Sequence, residues 1–448
     1  MKMSLGSSVS EATSATSVIT AYFQISLMSI LKAAGTGMFS KLSKDYSNSS
    51  LITGLIAVII SFAGPLAIVF QAASSANLPP NIVTSWVWAI SIGSAVSGLY
   101  LSWKYKAPII TAFSTPGAAL LVGSLSLFSF QEAIGAFVFS GALIFICGIT
   151  GIFKKIMNII PASLASAMLA GILFSFGISV FTSMQSSPVL VVPMIVIFLI
   201  CKRLWPRFAI VAALAVGLGV SYLTGMFGGG DISLSPAVPV FTMPIFSVAS
   251  IIGIGIPLFV VTMTSQNVPG VAVLKAAGFD KVPPNNLVSV TGLTTLALAP
   301  FGAHGVNLAA ITAAICTGPE SNDDPTKRYV AGLSCGFFYL LFGSFGAAIA
   351  GVFTAFPAAL IAAIAGLALF SAITNGLVSA MVNPGERDPA LITFLVTASG
   401  ITILGVGAAF WGLVAGVIAF VILVKRPDLE KEEEVTEPCL SQEPRIPH

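Results

Sequence analysis

Apolar residues in this chain run in long unbroken stretches, not on one face of a helix and not in strand-like alternation. Stretches near 20 residues have the length that crosses a hydrocarbon layer as helix. From Leu51 onward the pattern predicts fourteen, over 51–74, 81–103, 107–125, 131–153, 161–182, 188–203, 207–226, 249–274, 285–299, 300–317, 328–352, 357–378, 388–404 and 406–424. The polar break is thinnest between the ninth and tenth stretches and between the thirteenth and fourteenth. The expected fold is an all-α polytopic membrane protein with 14 transmembrane segments.

Charge placement tests the count, because Lys and Arg collect in cytoplasmic loops. With the N-terminus inside, the inner linkers carry Lys104 and Lys106; Lys154 and Lys155; Lys202, Arg203 and Arg207; Lys275 and Lys281; Lys327 and Arg328; and Arg387. All 20 Lys and Arg then share one side, while the outer loops carry only Glu132 and Asp231. Miscounting by one span would scatter the cations over both sides. Both termini are therefore expected in the cytoplasm. Residues 1–50, rich in Ser and Thr, read as an N-terminal extension ending in a surface helix and not as a signal peptide. Residues 425–448, with the run LEKEEEV, read as a charged cytoplasmic tail.

Two repeats are visible. Pro161-Ala-Ser-Leu and Pro357-Ala-Ala-Leu open two helices 196 residues apart, and Leu173-Phe174-Ser175 matches Leu369-Phe370-Ser371 at the same offset. Gly64-Pro65-Leu66 resembles Ile256-Pro257-Leu258 at an offset of 192. The halves, 51–226 and 249–424, lie seven spans apart. Seven is odd, so the halves are inverted relative to each other, a 7+7 arrangement that many secondary transporters place around a midplane site.

Composition agrees. Of 448 residues 56% are hydrophobic and 8% charged, against about 25% charged in soluble domains; mean hydropathy is +0.99. The bilayer is the solvent for most of this chain. The five Cys have no metal-ligand or redox spacing, and no nucleophile–base pair or metal cluster appears. No enzyme chemistry, metal or cofactor is expected, and nucleic acid is not an expected partner.

In such repeats, short interrupted spans mark the binding site. The third span, 107–124, has β-forming residues over Pro108–Phe113, then Ser114-Thr115-Pro116-Gly117, an N-cap followed by proline that signals a helix start. It predicts a short strand and then a half-helix starting mid-membrane. The tenth span, 299–318, has a non-helical Pro300-Phe-Gly-Ala, with helix expected after His304-Gly305. Aligning Gly117 with Gly305 points two half-helix N-termini at one another, each carrying about half a positive charge. That predicts an anion site without Lys or Arg, built from amides around Pro116–Ala118 and His304–Val306. Phe70, Phe113 and Phe301 are candidate walls for a ring.

Isolated polar residues in apolar spans complete the candidate set. His304 is one of only two His; inside a membrane it reads as a proton carrier or substrate donor, or as a neutral His satisfied by a backbone carbonyl. Asn307 falls one turn further on the same helix face. Gln266 and Asn267 in the eighth span read as substrate contacts or bridges to the tenth span, and Gln71 in the first as their counterpart. The expected substrate-binding residues are Gln71, Phe113, Ser114, Thr115, Pro116, Gly117, Gln266, Asn267, His304, Gly305 and Asn307, with His304 coupling the proton. No Asp or Glu lies near mid-membrane, so a carboxylate relay is not expected.

The segments FAGPLAIVFQAA, TAFSTPGAALL, TSQNVPGVAVLKAAGF and PFGAHGVNLAAITAAICTGPESNDD resemble the bacterial benzoate/proton symporter family over about residues 40–425. That resemblance implies proton-coupled benzoate uptake across the bacterial inner membrane and a uracil-permease-like fold. There, spans 1–4 and 8–11 form a core and spans 5–7 and 12–14 a gate, with substrate between them. Nucleobase permeases of that fold place a Glu where this chain has Gln266-Asn267, a departure that suits a substrate already anionic. The partners expected are a small aromatic carboxylate, protons and the lipid bilayer. A homodimer stays open, as do a nucleobase, sulfate or bicarbonate as cargo and, with less support, a channel.

Overall fold

The computed structural model describes residues 45–152, 161–226, 236–346, 348–349, 351, 355–403 and 406–424. The N-terminal extension up to residue 44 and the tail from 425 lie outside the described residues, as do Lys154, Lys155 and Asp231. The described residues are mostly helical, and each of the fourteen apolar stretches contains helix, three times with a short strand in front.

The first stretch is two helices, α1 (Asn48–Ala63) and α2 (Pro65–Ser75), broken at Gly64. Pro65 has no N–H to continue the ladder, and that breaks the helix where the sequence pattern predicts one continuous span. Next come α3 (Pro80–Tyr105), strand β1 (Thr111–Phe113), α4 (Thr115–Ser124) and α5 (Phe130–Thr150). Ser129 and Glu132 form a capping box at the start of α5. The first half closes with α6 (Ala162–Ser186), α7 (Pro188–Leu204) and α8 (Ala209–Leu223).

The second half opens with α9, continuous over Val248–Ala276 but wound as π-helix at Ile251–Gly255 and Met263–Asn267. It continues through α10 (Pro284–Leu298), β2 (Val306–Leu308), α11 (Ile311–Thr317), α12 (Tyr329–Ser344), α13 (Ala358–Ala380), α14 (Arg387–Ala398), a small hairpin of β3 (Thr402–Ile403) with β4 (Val406–Gly407), and α15 (Ala408–Leu423). Six helical stretches among the described residues are long and apolar enough to cross a membrane singly, including Asn48–Ser75, Val248–Ala276 and Ala358–Ala380.

Packing follows a reciprocal pattern. α3 lies along α12 and α5 along α10; moving seven spans along the chain exchanges one pair for the other. α6 lies along α13, which the same shift maps onto itself. Small residues permit the close approach, as in other membrane helix pairs. A Cβ on Gly148 would run into the Ser289 backbone, and one on Gly292 into the Phe145 backbone. Gly292→Leu is therefore expected to cost about 3 kcal/mol by overpacking the α5–α10 seam. Its neighbour Leu293, half exposed on the outside, serves as control: Leu293→Ala should leave the melting temperature of the purified protein nearly unchanged while Gly292→Leu lowers it sharply.

Candidate substrate site at the strand crossing

β1 and β2 come from opposite halves and pair antiparallel, with Thr111 opposite Leu308, Ala112 opposite Asn307 and Phe113 opposite Val306. Ser114 N donating to Gly305 O (2.8 Å) and Ala309 N donating to Ile110 O (2.9 Å) extend the ladder. Extended backbone in a membrane interior must find its hydrogen bonds within protein, and here each strand supplies the other's. α4 departs from the end of β1 and α11 from the end of β2.

Ser114 is the joint of this arrangement. Its side chain accepts from Gly117 N (3.1 Å), capping α4, and pairs with Thr262 Oγ1 on α9 (3.0 Å). Its carbonyl accepts from Ala118 N (2.8 Å) and from His304 Nε2 (2.9 Å). Trp86 Nε1–H donates to His304 Nδ1 at 3.0 Å, so the ring proton sits on Nε2. His304 is fully buried, edged by the rings of Trp86, Phe113 and Phe137. Both its nitrogens are engaged, the neutral arrangement satisfied by a carbonyl. Protonation would set an Nδ1–H against the indole N–H.

The second half-helix starts later than the alignment of Gly117 with Gly305 implies. Residues 306–308 are strand, and α11 begins at Ile311. Phe113 and Leu308 are the last residues of β1 and β2, an offset of 195 close to the 192 and 196 of the other repeats. The turn facing Pro116 is thus Ala309–Thr312, so the amides of Ala310–Thr312 take the place of those expected at His304–Val306. At α4 the expected amides of Gly117 and Ala118 are already bonded to Ser114, which leaves the helix dipole and not free N–H groups there. For the same reason Asn307 sits in a strand and not on a helix face with His304. With its amide turned to suit its neighbours, Asn307 accepts from Ser114 N (3.1 Å) and donates to Leu308 O (3.0 Å).

A cavity of about 300 Å³ lies between these half-helix starts and the α6–α13 pair. Phe113, Thr115, Pro116 and Gln266 of the expected set line it, joined by Ser61, Thr264, Thr312 and, from the opposite wall, Leu169, Leu173 and Leu369. None of the lining residues is charged. Thr115, Gln266 and Thr312 make no side-chain hydrogen bond to the described residues, so their polar atoms are open to an occupant. The cavity runs from the crossing toward the end of the molecule bearing Lys275 and Arg387.

The rest of the expected set stands behind this wall. Asn267 is fully buried and accepts from Leu308 N (3.0 Å), bridging the eighth span to the tenth, while Gln266 beside it faces the cavity. Ser114, Gly117, Gly305 and Asn307 build the frame. Gln71 is off the wall, its buried Oε1 without a partner among the described residues. Phe70 and Phe301 are also off it; Phe301 packs edge-on against Trp88 and Phe241. Asn375, Ser166 and Ser379 line the cavity from α13 and α6 and are absent from the sequence-derived set. Asn375, an amide alone in an apolar span, carries the same signal that singled out Gln266.

Helices spanning a bilayer, two of them unwound where they meet at an uncharged cavity, define a membrane transporter. The profile of the family described as "Benzoate membrane transport protein" matches residues 44–422, and the chain belongs to that family. It is 45% identical over 374 residues to the inner membrane protein YdcO of Escherichia coli K12, covering 84% of this chain and 95% of that one. It is 40% identical over 390 residues to the benzoate membrane transport protein of Acinetobacter baylyi, covering 87% and 99%. Among solved structures, the transmembrane domain of the cyanobacterial bicarbonate transporter BicA aligns with a TM-score of 0.55 at 15% identity, over 83% of this chain and 97% of that one. SLC26A9 aligns with a TM-score of 0.61 at 13% identity, over 85% and 66%. The latter likenesses concern the fold, which is that of known anion transporters.

Proposed function

We propose that this protein imports benzoate, or a close aromatic carboxylate, together with a proton across the bacterial inner membrane. The observation that carries the reading is the uncharged cavity at the strand crossing. It offers unengaged polar groups of Thr115, Gln266 and Thr312 on one side and a leucine-rich wall on the other. A carboxylate meets the positive end of α4, and an apolar ring lies against Phe113, Leu169, Leu173 and Leu369. The reciprocal helix packing supports two inverted repeats of seven spans. It also supports a core of spans 1–4 and 8–11 moving against a gate of spans 5–7 and 12–14. By the distribution of Lys and Arg, the basic end faces the cytoplasm, so the cavity opens inward.

The proton travels on the substrate carboxylate. The cavity wall has no titratable side chain, and both His304 nitrogens are committed to Trp86 and Ser114. A carboxylic acid with a pKa near 4 is almost all anion at neutral pH, and a membrane potential opposes its inward passage by about 2.3 kcal/mol per 100 mV. One proton per carboxylate cancels that work. In proteoliposomes, an imposed inward proton gradient should drive saturable accumulation of radiolabelled benzoate that collapses with a protonophore. Saturable benzoate uptake that ignores the pH gradient would refute the coupling. The fold likeness to a bicarbonate transporter supports a second reading, an inorganic anion as cargo. Excess bicarbonate or sulfate should fail to compete with benzoate, and full competition by either would favour that reading.

A further inference from the structure

The cavity at the strand crossing has polar groups on two walls, and the import reading uses only one of them. Thr115, Gln266 and Thr312 lie on the wall of the crossing; Ser166 on α6 and Asn375 and Ser379 on α13 lie on the other. The α6–α13 pair runs antiparallel. A Cβ on Gly376 would come within 3.2 Å of the Ser166 carbonyl oxygen, while one on Gly366 would run into the Phe176 backbone. Asn375 is therefore level with Ser166. Leu173 on α6 and Leu369 on α13 lie about 10 Å further in, at about 1.5 Å of rise per residue. The second wall is thus leucine at depth and polar toward the end bearing Arg387.

These three side chains are unengaged. A hydroxyl on a helix can donate to the carbonyl one turn back, and on this same cavity Ser61, Thr264 and Ser265 do so, to Ala57, Val260 and Val261. Ser166 and Ser379 make no such bond, and Asn375 makes no side-chain hydrogen bond to the described residues. Asn375 and Ser379 are exposed and Ser166 half-buried, so all three are open to an occupant. An amide costs free energy to place in an apolar span, and no bond within the described residues offsets that cost. Benzoate does not offset it either, because its one polar group goes to the opposite wall and its ring to the leucines.

We infer that Asn375, with Ser166 and Ser379, forms a second polar subsite that takes a hydroxyl on the ring. The substrate class this cavity fits best is then a hydroxybenzoate with its hydroxyl meta or para to the carboxylate. Such a two-ended ligand meets polar groups on both walls and leucine between them. An ortho hydroxyl is bonded to its own carboxylate and does not reach the second wall. The inference rests on the import reading, which puts the carboxylate at the first wall.

Titration calorimetry on the purified protein tests it with benzoate, its three hydroxy derivatives and para-methylbenzoate, which matches the para hydroxyl in size without its hydrogen bonds. Wild-type protein should bind the better of the meta- and para-hydroxy acids about fivefold more tightly than benzoate, the gain of one net hydrogen bond. The ortho-hydroxy and para-methyl acids should show no such gain. In Asn375→Leu, which keeps the bulk and removes the amide, the ratio of hydroxy acid to benzoate affinity should fall to about one. Melting temperature checks the fold. A ratio that stays at its wild-type value in the variant overturns the inference. So does a folded variant that binds none of the acids, since Asn375 would then hold the carboxylate. If none of the acids binds wild-type protein, the import reading itself fails; if benzoate binds and neither hydroxyl adds affinity, only the second subsite fails.

Discussion

Gln266→Glu is expected to abolish benzoate uptake and to weaken benzoate binding about a thousandfold while leaving the fold intact. The Gln266 side chain faces the cavity and makes no hydrogen bond to the described residues, so the protein itself loses little. The substrate loses a donor and gains a like charge. Two unit charges about 4 Å apart at an effective dielectric near 20 repel by ~4 kcal/mol, and ~4 kcal/mol is about three powers of ten in affinity. Gln266→Leu removes the donor alone and should cost only about tenfold. The sign of the pH effect follows: a carboxyl introduced here is protonated as pH falls through its pKa, so binding to the Glu variant should recover in acid. Titration calorimetry on purified protein reads all three, with melting temperature as the check on folding. Equal affinity for wild type and the Glu variant at neutral pH would mean the carboxylate sits elsewhere.

The second large effect is at His304, where two substitutions should part. His304→Ala leaves the buried Trp86 indole N–H without its acceptor and takes one of two donors from the Ser114 carbonyl, which keeps Ala118 N. A buried polar group left unsatisfied costs about 1–3 kcal/mol, so stability, binding and uptake should all fall together. His304→Gln keeps one donor and one acceptor in a side chain that does not titrate in this range. It should retain uptake that still collapses with a protonophore. If the Gln variant binds benzoate but moves it without a proton, His304 is the carrier and the substrate-borne proton is wrong.

What the residues disclosed in advance depended on whether they carried a local signal. Ser114-Thr115-Pro116 announced a helix start, and α4 begins at Thr115 with Ser114 as its cap. The tenth span offered no such cap: α11 follows Ala310, which has no side chain to bond the free amides. A helix start placed at the glycine of Ala303-His304-Gly305 falls about a turn and a half before Ile311, where α11 begins. The repeat offset near 195, not the glycine, was the safer guide. Strand β2 is three residues long and is held by β1 and by the Asn267 side chain, partners that lie far away in sequence. The π-helical turn over Met263–Asn267 likewise left no pattern to read; it sets Gln266 on the cavity and Asn267 behind it. Asn375, an amide alone in an apolar span, is legible by the rule that singles out Gln266.

The pairing of β1 with β2 also bears on how the protein is made. Neither half of the chain completes its own backbone hydrogen bonds at the crossing, since Thr111–Phe113 finds its partners only at Val306–Leu308. During synthesis at about 5–20 residues per second, the first strand waits roughly 10–40 s for the second. For that interval a row of amides and carbonyls sits unpaired at a depth where lipid cannot serve them. The nascent first half must therefore be sheltered, by water, by the insertion machinery or by its own neighbouring helices, until the ribosome has passed Leu308.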